Sequence, residues 1–303
     1  MHKTSPLVSI IIATYNRSNI LKYTISTVLK QNYQHFEILV IGDYCTDDTE
    51  EVINSFDDKR ISFYNLEENF GEQSYPNNFG FQKSKGELIA WLNHDDLWYP
   101  EHLDTLIKTL YNTESDVVYS WLLPYKAKVI NLPIFKIEPK YSINLFITAS
   151  SWLVKRSAVI EVGLWKSARQ IYNIPSQEWI NRTYKLGKKI TPVNKLTVIA
   201  IQSGSRKNSY SDRQEQEHQY VYNKMYDTDF REEMLTEICH HLAYRFNEIS
   251  LKKNIIYILK KPILFLAIRY QISPFGFINR IKYMKKGGHI NSLRQIRGLS
   301  KLK

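Results

Sequence analysis

The sequence predicts an α/β protein with a mostly parallel central sheet, followed by a helical C-terminal extension. Over residues 1–115, short apolar runs alternate with longer segments whose apolar residues recur at helical spacing. Strands that are separated by helices pair in parallel through right-handed crossovers, so this segment is predicted to be Rossmann-like. Residues 116–229 show less regular strands and long loops, and residues 230–303 are predicted to be mainly helical. These three segments are the expected domain organisation.

The strands are predicted from short runs of mostly apolar residues. A strand that is buried on both faces gives a continuous apolar run rather than an alternating one. In the first segment the runs cover residues 7–13, 36–41, 61–66 and 87–92. Two similar runs in the second segment, residues 116–123 and 196–201, predict further strands.

The helices of the first segment are predicted from apolar stripes and from residues that are typical of helix ends. Leu21, Ile25 and Val28 fall at the spacing of one helical face. Asp47 followed by Glu50 is typical of a capping box at the start of the next helix. A further helix is predicted to begin at Pro100, a residue that suits the first helical position. Its buried stripe would consist of Leu103, Leu106, Ile107 and Leu110.

Composition excludes several classes of protein. The chain has 303 residues and only two cysteines, Cys45 and Cys239, which are far apart in the sequence. This argues against a disulfide scaffold or a zinc site and is typical of a reducing compartment. Residues 1–6 are polar, so no signal peptide is expected. No run approaches the roughly 18–20 apolar residues of a membrane span, and we expect a cytoplasmic protein.

Positive charge is concentrated at the C-terminus. Residues 250–303 hold 13 of the 41 Lys and Arg and none of the 30 Asp and Glu, which leaves 28 basic against 30 acidic residues elsewhere. Because these charges alternate with apolar side chains, they predict an element that binds an anionic membrane surface at the inner face of the cell membrane. The alternative is a helix whose apolar face packs on the body of the protein. A nucleic-acid partner is not expected, because the rest of the chain is nearly neutral.

An acidic pair, Asp95-Asp96, follows the fourth predicted strand. In open α/β sheets, ligands bind outside the carboxyl ends of the strands. Two carboxylates there suit Mg²⁺ or Mn²⁺, which proteins usually hold by one or two carboxylates together with substrate phosphates. The neighbouring His94 could be a further metal ligand, but it is predicted to point away, since successive strand residues face opposite sides.

The turns after the first two strands carry candidate nucleotide-binding residues. Tyr15 could stack on a base and Arg17 could meet a phosphate. Asp43 could accept a hydrogen bond from a base or a ribose hydroxyl. Each turn read alone is equally a polar connection with a helix cap.

Two loops add weaker signals. Residues 69–80 contain several turn formers and two glycines, which predict a tight, irregular loop bordering the nucleotide. Residues 203–208 form a basic loop in which Arg206 and Lys207 could fold over a diphosphate as a lid. A plain solvated loop explains residues 203–208 equally well.

Four segments in order resemble the motifs of glycosyltransferase family 2, whose members are inverting enzymes of the GT-A fold. They are PLVSIIIATYNR (6–17), FEILVIGDYCTDDT (36–49), NFGEQSYPNNFG (69–80) and ELIAWLNHDDLWYPEHL (87–103). The resemblance fades after Leu110 and returns at SSWLVKRSAVIEVGLW (150–165) and SQEWINRTYKLG (176–187).

The resemblance implies roles for individual residues. Asp96 would bind the divalent cation, Mn²⁺ or Mg²⁺, and Asp95 would meet the ribose or the metal site. Glu178 would be the general base that takes the proton of the acceptor hydroxyl. The implied nucleotide-binding residues are Ala13, Tyr15, Arg17, Asp43, Asn77 and Asp95.

The chain departs from the usual residues of the family at Gly42, Asn77, Asn93 and Gln177. The resemblance implies a metal-dependent transferase that moves a sugar from a nucleoside diphosphate sugar, expected to be a UDP-sugar, to a glycan or lipid-linked acceptor in cell-surface polysaccharide synthesis. The departures leave open an alternative, a catalytically weak nucleotide-sugar-binding or scaffold subunit of a glycan assembly complex.

Overall fold

A computed structural model describes residues 5–125, 140–247 and 269–302, together with Pro262, Phe265 and Leu266. The apolar and basic run predicted from Ile255 to Ile268 lies largely outside the described residues.

Eight strands form one mixed sheet that runs through both predicted halves. They are β1 (Val8–Thr14), β2 (Phe36–Gly42), β3 (Ile61–Asn65), β4 (Leu88–Trp91), β5 (Asp96–Trp98), β6 (Val117–Tyr125), β7 (Trp152–Lys155) and β8 (Ile190–Ile201). Their order across the sheet is β3-β2-β1-β4-β7-β6-β8-β5. The first four strands pair in parallel, as predicted, and β6 is parallel to β8. Antiparallel pairing joins β7 to β4 and β6, and β5 to β8.

Helices cover the sheet, and further helices lie in the described part of the C-terminal segment. They are α1 (Ser18–Leu29), α2 (Thr49–Asn54), α3 (Ser74–Lys83), α4 (His102–Asn112), α5 (Arg156–Val162), α6 (Pro175–Lys185), α7 (Ser209–Asp212), α8 (Gln216–Lys224) and α9 (Thr228–Asn247). Two further helices, Pro274–Tyr283 and Gly288–Ile296, complete the described chain, and we call the latter the C-terminal helix. None of the helices in the described part is both long and apolar enough to cross a bilayer.

The first strand is buried on both faces, which explains its continuous apolar run. Ile10 and Ile12 belong to one core cluster, where they pack with Leu21 and Ile25 of α1. Ile11 points to the opposite face and joins a second cluster, because side chains alternate along a strand.

The prediction of an irregular loop over residues 69–80 is wrong in its second half, where α3 forms. Pro76 is the third residue of α3 and lies in the first turn, where backbone N–H groups have no partner within the helix. Gly80 allows α3 to pack closely on β1: a Cβ atom there would lie 2.5 Å from Cγ2 of Ile11. The glycine therefore marks a close approach of helix and sheet rather than a turn.

The predicted capping box of α2 does not form. The N-cap residue is Asp48, which makes no side-chain capping bond. Asp47 instead accepts the N–H groups of Thr49 and Ser18, each at 3.3 Å, while Glu50 is exposed. Asp47 thus ties the turn after β2 to the start of α1.

The last part of the chain packs on the body. The N–H of Gly287 donates to the carbonyl of Ile171 at 3.0 Å, and the N–H of Asn208 donates to the carbonyl of Ile296 at 2.9 Å. For the C-terminal helix the packing alternative is therefore the correct one.

Candidate active site

A cavity of about 540 Å³ lies at the carboxyl ends of β2, β1 and β4, which are neighbours in the sheet. These strands are parallel, so the turns that follow them meet at one edge. From those turns the cavity wall receives Ala13, Thr14, Tyr15, Arg17, Asp43, Asn93, His94, Asp95 and Asp96. The structure therefore brings together most of the residues singled out from the sequence. The prediction that His94 points away is wrong, because His94 follows the end of β4 in a turn and lines the cavity.

Asp96 is held in a defined position at the edge of the cavity. It is the first residue of β5, which pairs with β8, and it is 3% exposed. Its Oδ2 atom accepts a hydrogen bond from Nδ2 of Asn93 at 2.8 Å and another from the hydroxyl of Ser150. Asn93 thus orients the carboxylate of Asp96.

The two adjacent carboxylates have opposite electrostatic environments. Burial and the negative charge of Asp95 raise the pKa of Asp96 well above its usual range. Burial alone would also raise the pKa of Asp95, but the neighbouring His94, His218 and Arg17 outweigh it and hold that pKa below its usual range. Oδ2 of Asp95 also accepts the hydroxyl of Ser203 at 3.0 Å.

This pair fits a divalent cation that completes its coordination with substrate. Within the described ranges, no group of three or more His, Cys, Asp and Glu side chains is arranged to hold a metal ion. Mg²⁺ does not require such a cluster, because it is usually bound by one or two carboxylates, waters and phosphates. A cation beside Asp95 and Asp96 would also relieve the repulsion that raises the pKa of Asp96.

Asp43 orders the loop that borders the cavity. Its two carboxylate oxygens accept the N–H groups of Phe70 and Gly71, each at 2.8 Å. Nδ2 of Asn69 donates to the backbone carbonyl of Asp43 at 2.7 Å. Burial raises the pKa of Asp43, while the two backbone N–H groups and Arg294 act to lower it. Asp43 thus builds the loop as well as facing the cavity.

Arg17 lies at the base of the same cavity and is almost fully buried. Its Nη2 donates to the hydroxyl of Ser203 at 3.0 Å, and its Nη1 donates to the carbonyl of Ser209. The guanidinium group lies 5.1 Å from the ring centre of Tyr210, and Tyr210 lies 6.0 Å from Tyr15, centre to centre. Burial lowers the pKa of Arg17, although the charge of Asp95 opposes this.

Glu178 does not lie on the cavity wall. It is in the first turn of α6, where its carboxylate pairs with Nζ of Lys166 at 3.2 Å and with Nη2 of Arg182 at 3.0 Å. From the same turn, Pro175 and Ser176 line the cavity instead.

Three other predicted residues also lie off the wall. Asn77 is buried in α3. Arg206 pairs with Glu217 and donates to Oε1 of Gln214 at 3.0 Å, so it faces away from the cavity. Lys207 is exposed. In this arrangement Arg206 and Lys207 do not cover the cavity.

Sequence reasoning missed residues that come from distant parts of the chain. Tyr210 and the C-terminal helix both contribute to the wall, the helix through Arg294 and through Arg297, the residue directly after its last turn. The two arginines are three residues apart and share one helical face. That spacing was visible in the sequence, but nothing in it indicated which surface the face would meet.

Comparison with known proteins establishes the family. The profile of glycosyl transferase family 2 matches residues 9–161, just over half of the chain. The chain therefore belongs to glycosyl transferase family 2.

Two curated relatives and one crystal structure illustrate the similarity. An uncharacterized glycosyltransferase of Rickettsia typhi is 38% identical over 140 residues, which cover 46% of this chain and 43% of that protein. The UDP-Glc:alpha-D-GlcNAc-diphosphoundecaprenol beta-1,3-glucosyltransferase WfgD of Escherichia coli is 33% identical over 113 residues, which cover 37% of this chain and 44% of WfgD. The chain thus spans less than half the length of either relative.

The fold matches that of S. aureus TarS. The crystal structure of TarS 1–349 in complex with UDP-GlcNAc superposes with a TM-score of 0.57 at 17% sequence identity, covering 96% of this chain and 90% of that chain. This confirms the predicted GT-A fold.

Proposed function

We propose that the protein is a metal-dependent inverting glycosyltransferase. It moves a sugar from a nucleoside diphosphate sugar, a UDP-sugar, to a hydroxyl of a glycan or lipid-linked acceptor in cell-surface polysaccharide synthesis. The observation that carries the proposal is the meeting of the Asp95-Asp96 pair with Tyr15, Arg17 and Asp43 in one cavity at the carboxyl ends of parallel strands. The names of the relatives support the donor class, because WfgD is named for UDP-Glc and the TarS crystal contains UDP-GlcNAc.

The residues at the two ends of the cavity suggest how a donor would lie. Tyr15 and Asp43 offer a ring face and a carboxylate oxygen for the nucleobase and ribose. Asp95 and Asp96 would hold Mn²⁺ or Mg²⁺ against the diphosphate. A bound cation neutralises charge that develops on the leaving diphosphate, a contribution of several kcal/mol. With that charge balanced by a cation, this chain needs to supply a base but no separate acid.

Glu178 is the proposed base, and its surroundings set a condition on that role. Carboxylate bases contribute about 10²–10⁴-fold to such a step. To take a proton from an acceptor hydroxyl, Glu178 has to leave its ion pairs with Lys166 and Arg182 and turn towards the cavity. This same position favours the second candidate, a binding or scaffold subunit that holds a nucleotide sugar without efficient turnover.

The described tail also supports association with an anionic membrane surface. On the helix Pro274–Tyr283, Ile281 is 63% exposed, and the residue after the helix, Met284, is 85% exposed. Lys285 and Lys286 follow directly and are exposed. Exposed apolar side chains flanked by Lys are typical of elements that lie in a membrane interface. We propose a peripheral location at the cytoplasmic face, near a lipid-linked acceptor.

A donor panel tests the enzymatic proposal. The protein is incubated with UDP-, GDP-, CDP- and dTDP-sugars, an acceptor mimic and Mn²⁺, and released nucleoside diphosphate is measured. Turnover with one donor that stops on chelation of the metal supports the proposal. Tight donor binding in calorimetry without turnover supports the scaffold alternative instead.

A further inference from the structure

The C-terminal helix forms one wall of the candidate donor cavity. Its contribution, with the residues just after it, consists of Ile290, Leu293, Arg294, Arg297 and Leu299. The residues of this segment are separated from the Asp95-Asp96 pair by about two hundred positions of sequence. The sequence predicts that this segment binds a membrane surface, but the structure places it against the cavity that contains the acidic pair.

Arg294 is placed at the end of the cavity where Asp43 lies. It is 8% exposed, its Nη1 donates to the carbonyl of Gly71 at 2.5 Å, and its Nε donates to the carbonyl of Ser300 at 2.6 Å. Gly71 is the residue whose N–H binds the carboxylate of Asp43. Arg294 therefore locks the end of the chain onto the loop that borders the proposed nucleotide.

Arg297 lies one helical turn further along, towards the acidic pair. Its Nε donates to the carbonyl of Gly204 at 2.9 Å. Gly204 follows Ser203, whose hydroxyl joins Arg17 to Asp95. A Cβ atom at Gly204 would come within 3.1 Å of Nη2 of Arg297, so the glycine leaves room for the guanidinium group.

Three guanidinium groups thus line one cavity. Among the described residues, their hydrogen-bond partners are backbone carbonyls and one hydroxyl. Arg17, Arg294 and Arg297 enter no ion pair with a carboxylate among the salt bridges of the described residues. Nε of Arg17 is buried without a hydrogen-bond partner. Positive groups held together in a partly closed cavity favour an anion of matching charge.

We propose that Arg294 and Arg297 bind the diphosphate of the nucleoside diphosphate donor, so that the C-terminal helix completes the donor site. The proposal rests on the proposed function. A diphosphate that reaches from the nucleobase end at Asp43 to the acidic pair passes the face that carries both arginines. The planar guanidinium fork suits phosphate oxygens, which it can bind through two parallel hydrogen bonds. The three arginines offset the charge of a diphosphate that the cation only partly neutralises.

Arg297 gives the sharper test because Arg294 also holds the chain end in place. We compare wild type with Arg297→Ala, with the conservative Arg297→Lys, and with Arg169→Ala as a control. Arg169 is an exposed arginine that does not line the cavity. Calorimetry in Mn²⁺ measures the affinity for UDP and for uridine, which lacks the diphosphate. Circular dichroism checks that each variant is folded.

Arg297→Ala should weaken UDP binding by about 10–100-fold, the range for a charge-assisted hydrogen bond to a phosphate, and should leave uridine binding unchanged. Arg297→Lys should recover part of the loss, and Arg169→Ala should match wild type. An equal loss for UDP and uridine would show a structural role and overturn the proposal, as would unchanged UDP binding.

Two further outcomes separate this inference from the proposed function. Binding of undecaprenyl diphosphate is measured in parallel as a model of a lipid-linked acceptor. If wild type binds UDP and Arg297→Ala weakens binding of undecaprenyl diphosphate but not of UDP, the arginine serves an acceptor diphosphate and the donor assignment is wrong. If wild type binds none of UDP, GDP, CDP and dTDP, the proposed function fails and this inference falls with it.

Discussion

Replacing Asp96 by Asn tests whether the acidic pair is built for a cation. Burial and the charge of Asp95 raise the pKa of Asp96 to about 8 from an ordinary value of 3.8. One pKa unit corresponds to about 1.4 kcal/mol, so the ionised form of Asp96 costs the metal-free protein on the order of a few kcal/mol. Asn keeps the shape of the side chain and removes that cost.

The sign of the pH dependence follows from proton binding. Between about pH 4 and about pH 8 the folded metal-free protein keeps the proton of Asp96, whereas the unfolded chain releases it. The free energy of unfolding of wild type should therefore fall as pH rises through this window, by about 2–4 kcal/mol between pH 5 and pH 8, relative to Asp96→Asn. Asp95 does not disturb the comparison, because its lowered pKa acts below this window.

Urea denaturation in chelator at pH 5 and pH 8 measures the difference. Asp57→Asn is the matched control, because Asp57 is exposed and has a left-handed backbone that Asn also accepts. Added Mn²⁺ should stabilise wild type at pH 8 and leave Asp96→Asn unaffected, and activity of the variant should fall about 10³-fold. Equal pH dependence in wild type and Asp96→Asn, or equal stabilisation by Mn²⁺, would refute the reasoning.

Four further changes test separate parts of the account. Glu178→Gln should lower turnover about 10²–10⁴-fold with donor affinity unchanged in steady-state kinetics; lost affinity at normal turnover would make Glu178 a binding residue. Asp43→Ala should weaken UDP in calorimetry by about tenfold or more, because it removes a nucleoside acceptor, and equal affinity would reject that role. Burial lowers the pKa of His102 to about 3, so wild type should lose stability as pH falls below the ordinary value of 6.5, and His102→Gln should lose less; parallel denaturation curves at pH 4 and pH 7 would contradict this. Ile281→Asp should weaken sedimentation with phosphatidylglycerol vesicles several-fold, whereas the equally exposed Ile160→Asp should not, and no difference between the two would reject the membrane surface.

The nucleotide half of the fold was predictable because its signals are local. Short, mostly apolar runs predicted the four parallel strands. Because the carboxyl ends of parallel strands meet at one edge of a sheet, the turns after them could be expected to lie together. The sequence alone therefore predicts that Tyr15, Asp43 and Asp95 share a site. The structure places all three on one cavity wall.

Predictions failed where a residue type has two physical explanations. The sequence predicts a loop around Pro76 and Gly80, since both residue types are frequent in turns. The structure uses Pro76 in the first turn of a helix and Gly80 for contact with Ile11 of the sheet. Local composition cannot distinguish these cases, because the deciding contact is with a strand far away in the sequence.

The remainder of the site depends on side-chain direction and on long-range packing. Glu178 lies in the first turn of α6, but its side chain pairs with Arg182, one turn later, and does not line the cavity. The positions of Arg294 and Arg297 depend on how the end of the chain returns to the loops at Gly71 and Gly204. A helical pattern predicts which residues share a face and leaves open what that face contacts.

A crystal structure with an intact UDP-sugar and Mn²⁺ would show whether this cavity is the donor site. We expect a nucleobase between Tyr15 and Asp43 and a metal ion bound by Asp96. We also expect a diphosphate within hydrogen-bond distance of Arg297. A nucleotide bound outside this cavity, or a metal ion held by other side chains, would contradict this assignment.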